Sequence, residues 1–170
     1  MQEYTTQAII LTKEPSGEMD VQACFLTPGA GKLTARAKSA RKITSKLSAH
    51  LEPGNIIAIR LVEKKGIQIT DALSEGKLSA TPTDLYFLGE LLPEGEPEPA
   101  LWEELMAQKT IRWAEILKLL GWDPKATKCQ HCHERTPEYF NIKNQELLCK
   151  ICTKASRLDS NKVLYIGDEH

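Results

Sequence analysis

The first 80 residues contain only two aromatic side chains, Tyr4 and Phe25, and no tryptophan. Whatever this segment binds, it cannot grip by stacking a row of rings. Long apolar runs are also missing. No stretch approaches the ~20 residues that a membrane-spanning helix needs. Near the N-terminus, Ala8–Leu11 is too short for an export signal and follows no basic residues. A cytoplasmic location is therefore expected, with no membrane partner. Charge of one sign is absent as well, since 22 Lys/Arg stand against 23 Asp/Glu. Bulk charge thus selects no ligand. Nor is there a phosphate loop, a Gly-x-Ser-x-Gly elbow or a His-Glu-x-x-His pair. His50, His131, His133 and His170 stand without catalytic company in the sequence. No enzyme and no small-molecule substrate are expected.

What is present is unevenly distributed. Residues 1–80 carry 11 Lys/Arg against 8 Asp/Glu, and residues 81–128 carry 5 against 9. The first segment reads as strands. Ala8–Leu11 and Val21–Leu26 are short apolar runs, and Pro28-Gly29-Ala30-Gly31 marks a turn. From Lys32 to Lys38 the residues alternate, with Leu33, Ala35 and Ala37 on one face and Lys32, Thr34, Arg36 and Lys38 on the other. Asn55–Val62 and Gly66–Leu73 follow. Five short strands with tight turns and no intervening helix predict a small closed barrel, which removes the edges of an open sheet. Cys24, within an apolar strand, reads as a small buried hydrophobe.

The stretch GKLTARAKSARKITSKLSAHLEPG holds Lys32, Arg36, Lys38, Arg41, Lys42 and Lys46, with no acid before Glu52. A surface built only for solubility usually mixes signs. Six cations on one strand face and the loop after it make a candidate site for an anionic backbone. With so few rings beside them, such binding would run through phosphates and be insensitive to sequence. A solvated charged face that binds nothing is the plainer alternative.

Beyond the barrel, Thr81–Leu92 predicts a short helix capped at Thr81 or Thr83. Residues 93–99 carry three prolines and three carboxylates, which predicts a stiff connector. Ala100–Leu120 reads as one amphipathic helix ended by Gly121. Cys129, Cys132, Cys149 and Cys152 then give C-x2-C-x16-C-x2-C, the spacing of a four-cysteine zinc site. Four thiolates close a tetrahedral shell and leave no position for water, so the expected role is structural, with one zinc ion. A haem attachment at Cys129-Gln-His-Cys132-His133, a redox pair and an iron–sulfur cluster are the alternatives. His131 and His133 read as surface residues.

Three stretches resemble the bacterial RecO family. PSGEMDVQACFLT resembles its glycine-acid-x-Asp segment leading into a strand. The basic stretch resembles its Gly-Lys-Leu, Ala-Lys-small-x-Arg, Ser-Lys-Leu and Leu-Glu-Pro signature, with Ser39 where the family usually has glycine. LLGWDPKATKCQHC with LLCKIC resembles its approach to a four-cysteine site. The resemblance covers roughly residues 1–152. It implies an α+β protein: an N-terminal five-stranded OB-fold barrel (1–80), a short helical region (81–128) with its connector at 93–99, and a zinc segment and tail (129–170). It implies binding to single- and double-stranded DNA, strand annealing, and partnership with a RecR-like protein and single-strand-binding protein. The implied role is assistance to recombinase loading during DNA repair. Two other classes stay open: an OB-fold and zinc-ribbon module acting on RNA, and a protein-docking adaptor.

Overall fold

A 15-residue first strand, β1 (Gln2–Ser16), is long enough to serve two neighbours. Its first half pairs antiparallel with β4 (Asn55–Glu63), and its second half pairs with β2 (Asp20–Thr27). Ile9 belongs to both ladders, opposite Ile56 and Leu26. The register slips between Ile10 and Thr12, a bulge that bends the strand as a barrel requires. β3 (Gly31–Ala37) pairs with β2, and β5 (Ile67–Lys77) pairs with β4. A short parallel contact, Arg36 opposite Gln68 and Ala37 opposite Ile69, closes the barrel in the order β1-β2-β3-β5-β4. These features belong to a computed structural model that describes residues 2–167. Alternation fills the barrel with Ala8, Ile10, Ala23, Phe25, Ala35, Ile57, Ile59 and Leu61, all at most 3% exposed. Leu33, Ala35 and Ala37 point inward, while Lys32, Thr34, Arg36 and Lys38 do not.

The chain divides between Ile111 and Arg112 into two compact units. In the first, a one-turn helix α1 (Leu47–His50) precedes β4, and α2 (Pro82–Leu91) packs on β1 and buries Leu85 and Leu88. α2 opens with a capping box in which Thr81 and Asp84 satisfy each other's backbone N–H. α3 (Pro99–Gln108) buries Leu101, Trp102 and Leu105.

The single helix expected over residues 100–120 is two. Lys109 adopts φ 52°, and its N–H closes α3 on the Leu105 carbonyl. Residues 110–111 are β-branched, and Thr110 bridges Ser79 instead of continuing the helix. Ser79 N–H donates to the Lys109 carbonyl at 2.8 Å. α4 (Trp113–Leu119) then begins the second unit and ends at Gly121, φ 101°, as its C-terminal glycine predicts.

The second unit also holds a small sheet of order β7-β6-β8. Its strands are β6 (Tyr139–Asn141), β7 (Glu146–Leu148) and β8 (Val163–Tyr165). α5 (Lys150–Ala155) starts at the third cysteine of the motif. Phe140, Leu147, Leu148 and Leu164 are buried, and the Trp122 ring lies 5.2 Å from that of Phe140. Among the described residues no helix is long and apolar enough to cross a membrane.

Candidate nucleic-acid interface and metal centre

The six cations singled out by sequence take up different situations. Lys32 is half-buried, and its ammonium donates to the Gly89 carbonyl near the end of α2 at 2.7 Å. Its own carbonyl accepts from Gly95 N–H at 2.8 Å, and it bridges Glu94. Gly31, φ 67°, lies so close beneath the connector that a Cβ there would collide with the Glu96 carbonyl and the Pro97 nitrogen. Lys32 thus faces the acidic connector.

Arg36 lies toward the other end of β3. Its Nε is 2.6 Å from Asp20 Oδ2, and its Nη2 is 2.5 Å from the same oxygen. The other oxygen of Asp20 accepts from Ser39 N–H at 2.7 Å. That bond is the first cause of a carboxyl held below its ordinary value, with opposing desolvation and the Arg36 partnership following. Ser39 itself adopts φ 54°. A left-handed turn, which glycine adopts most readily, is therefore taken here by a serine whose N–H is held by Asp20.

The loop that follows is short and pinned. Ala40 is fully buried. Arg41 N–H donates to the Met19 carbonyl at 2.9 Å, and its Nη1 reaches the Gly17 and Glu18 carbonyls at 3.4 and 3.2 Å. At the far end, Lys13 pairs with Glu52 and donates to the Ser48 carbonyl of α1. Between these anchors Lys38, Lys42 and Lys46 are exposed. Lys38 lies near enough to Asp20 to help hold its carboxyl down, and among the described residues Lys42 and Lys46 make no salt bridge. Ile43 stands fully exposed among them.

Sequence reasoning passed over two contributors. Asp20 appeared only as part of a motif, because its role depends on contacts across the β2–β3 ladder. Lys64 and Lys65 sit exposed at the β4–β5 turn. Lys65 and Arg36 line one groove of about 300 Å³, together with Thr34, Gly66 and Gln68.

In the second unit, the Sγ atoms of Cys129, Cys132, Cys149 and Cys152 all lie within 4.8 Å of one another. Cys132 Sγ and Cys149 Sγ are 4.0 Å apart. A tetrahedron with metal–sulfur bonds of about 2.3 Å has edges of about 3.8 Å, so the four thiols fit a single ion. Cys129 and Cys149 are buried and pack with Leu148 and Leu158. Local backbone supplies the geometry. Cys149 caps α5 and accepts from Cys152 N–H at 3.5 Å, while His133 N–H donates to the Cys129 carbonyl with φ 59° at His133.

The thiols are electrostatically unequal. Backbone N–H groups of Glu134 and Arg135 lower Cys132 to about 6. Desolvation, together with the neighbouring sulfurs, pushes Cys152 up to about 12. Four adjacent thiolates repel, and a divalent cation removes that conflict. His131 and His133 are exposed, and His131 lies 3.5 Å from Glu146, away from the sulfur cluster's needs. Cys24 is half-buried rather than fully buried, and burial pushes its thiol up.

A closed five-stranded OB-type barrel, followed by helices and a four-cysteine metal-binding group, defines an α+β protein of the barrel-plus-metal-module class. Residues 1–80 match the family described as Recombination protein O N terminal. A protein of Dehalococcoides mccartyi named DNA repair protein RecO is 28% identical over 88% of this chain and 70% of its own length. Its namesake in Thermodesulfovibrio yellowstonii is 27% identical over 93% of this chain and 73% of its own. Another, from Rhodospirillum centenum, is 32% identical over 67% of this chain and 52% of its own. The chain belongs to the RecO family.

Proposed function

We propose that this protein binds DNA through the cationic loop of its barrel and serves recombinational DNA repair, annealing complementary strands and assisting recombinase loading. The observation that carries the reading is the loop from Lys38 to Lys46. It is anchored at both ends, yet presents Lys38, Lys42 and Lys46 to solvent, and among the described residues Lys42 and Lys46 make no salt bridge. A surface that merely keeps a protein soluble has no need of such anchoring. OB-type barrels take oligonucleotides on the β2–β3 face and on the loops after β1 and β4. Arg36 lies on β3 and Lys64 and Lys65 in the loop after β4, while Arg41, in the loop after β3, reaches the Gly17 and Glu18 carbonyls of the loop after β1; together they extend the surface. Lys32 adds positive charge at the opposite end of β3. Ile43 offers an apolar contact to sugars or bases.

Family membership supports the repair setting, since the relatives bear that name. Single- and double-stranded DNA are the proposed ligands. A RecR-like protein and single-strand-binding protein are proposed as partners on family grounds alone. In this division of labour the barrel (1–80) binds, the helices of residues 81–111 brace it, and the metal segment (129–170) is a structural tie within the second unit. The proposed ion is a single zinc. Four thiolates leave it no open position, and sulfurs this close suit one ion better than a multi-iron cluster.

An RNA-binding module would present the same cationic loop, so the test compares both polymers. Binding of labelled single strands of DNA and RNA of one sequence is measured at equal salt, alongside the rate at which complementary DNA strands pair. DNA bound at least as tightly as RNA, with pairing accelerated, is the expected result. A clear preference for RNA transfers the site to the other polymer, whose 2′-hydroxyls supply the distinction. Binding of neither leaves a docking adaptor as the better account.

A further inference from the structure

The metal-bearing unit carries a second cationic feature that the barrel reading does not use. Lys150 and Lys154 lie four residues apart on α5, about 6 Å along its axis, and Arg157 follows in the turn beyond it. All three are exposed and line one groove of about 290 Å³. Half-buried Tyr139, Leu158 and Val163 form its apolar part, and Thr153 completes the lining. No carboxylate lines this groove, and among the described residues none pairs with the three cations. The Tyr139 ring is held edge-on to Tyr165 at 5.3 Å, across the β6–β8 ladder.

This combination selects a ligand class. A bare phosphate needs cations but no apolar floor. A duplex keeps its bases stacked inside and has nothing to lay on Tyr139. An unpaired nucleotide offers both parts, a charged backbone and a free ring face. The barrel offers little ring contact, because Phe25 is fully buried and its only companion in residues 1–80, Tyr4, is half-buried and packed against the barrel core. The volume sits at the small end for a binding pocket, room for one base and its sugar rather than a folded peptide element.

We propose that this groove holds a segment of single-stranded nucleic acid, its phosphates on Lys150, Lys154 and Arg157 and one base against Tyr139. The site shares a ligand class with the barrel loop but none of its residues. Its consequence is a preference for unpaired over paired strands, which phosphate contacts alone do not give. Leu158 packs on the cysteine cluster as well as lining the groove. A bound metal would therefore steady the floor.

The test uses the full chain, metal-loaded, with a labelled oligothymidylate and a duplex of the same length. Lys154→Glu/Arg157→Glu, two exposed positions, is expected to weaken single-strand binding about tenfold or more. It should flatten the log–log salt slope by about 1.4, at roughly 0.7 per phosphate. Tyr139→Leu keeps the floor apolar and removes the ring. It is expected to lose about fivefold or more for the single strand, leaving the duplex affinity and the salt slope unchanged. If Tyr139→Leu loses metal, the double charge reversal decides alone.

The proposal is overturned if the double variant binds the single strand like wild type, or if it loses single strand and duplex by the same factor. It is also overturned if oligonucleotide binding is intact but competition by an oligoaspartate peptide disappears, which would make the groove a dock for acidic protein. A parallel variant, Lys38→Glu/Lys42→Glu/Lys46→Glu, separates the two sites. Weakening there alone sinks the groove and keeps the barrel, and weakening in the groove variant alone does the reverse.

Discussion

Asp20 accepts a hydrogen bond from the backbone N–H of Ser39 at 2.7 Å, at the point where the cationic loop leaves β3. Its other oxygen holds Arg36. An acid in the midst of a proposed anion site looks counterproductive. Removing it should raise affinity if only net charge counted. Because Asp20 fixes the left-handed turn at Ser39, Asp20→Ala is instead expected to weaken DNA binding and to speed tryptic cleavage in the Arg41–Lys46 segment. Tighter binding with unchanged cleavage would contradict this. The pH dependence has a definite sign. The Ser39 N–H holds the folded carboxyl below its ordinary value, so the clamp is present above that ordinary value. It fades as pH falls through the lower, folded one.

Gly31 lies directly against the backbone of the acidic connector. Its φ of 67° disfavours any side chain, and a Cβ would strike backbone that cannot swing aside. Gly31→Ala is expected to cost about 2 kcal/mol or more in urea unfolding. It should also free Lys32 from Gly89. A variant as stable as wild type would mean that the connector does not rest there.

The four-cysteine cluster is the centre about which the second unit is built. Metal affinities of about 10–16 kcal/mol in small zinc domains show the size of such a tie. Cys149 is both a buried member of the cluster and the cap of α5. Cys149→Ser is expected to abolish metal retention and hydrogen-exchange protection across β6, β7 and α5, while β1–β5 keep theirs. Full metal content and unchanged protection would contradict it.

Metal uptake should be linked to protons in a way the thiols foretell. Cys132 is lowered to about 6 and is ionised at pH 7, whereas Cys152 is pushed up to about 12 and is not. Uptake by the apoprotein at pH 7 is expected to release about two to three protons per ion. Affinity should rise with pH above 7 and collapse below about 6, where Cys132 also protonates. Indicator-dye titration of proton release measures this, and uptake without release would contradict a four-thiolate site.

Much of this was legible in the residues. Strict alternation from Lys32 to Lys38 placed Leu33, Ala35 and Ala37 inside, because a period of two leaves no other choice. The cysteine spacing put four sulfurs together, because each Cys-x-x-Cys turn can serve one ion. The break at Lys109 was not legible. Leu101, Leu105, Trp113 and Leu117 keep a helical stripe straight across it, and the bridge from Thr110 to the distant Ser79 is what draws the chain out of the helix there. β6 and β7 were missed because strands of three residues carry no periodicity. The role of Asp20 was hidden for a third reason, that cross-strand partners are far apart in sequence.

The most direct test of the central claim is the salt dependence of single-stranded DNA binding, for wild type against Lys38→Glu/Lys42→Glu/Lys46→Glu. With the free cations of the loop each releasing a counterion, the log–log slope is expected to flatten by about 2 in the variant, with a large loss of affinity at low salt. Equal affinity and an unchanged slope would show that DNA does not lie on the barrel's cationic loop.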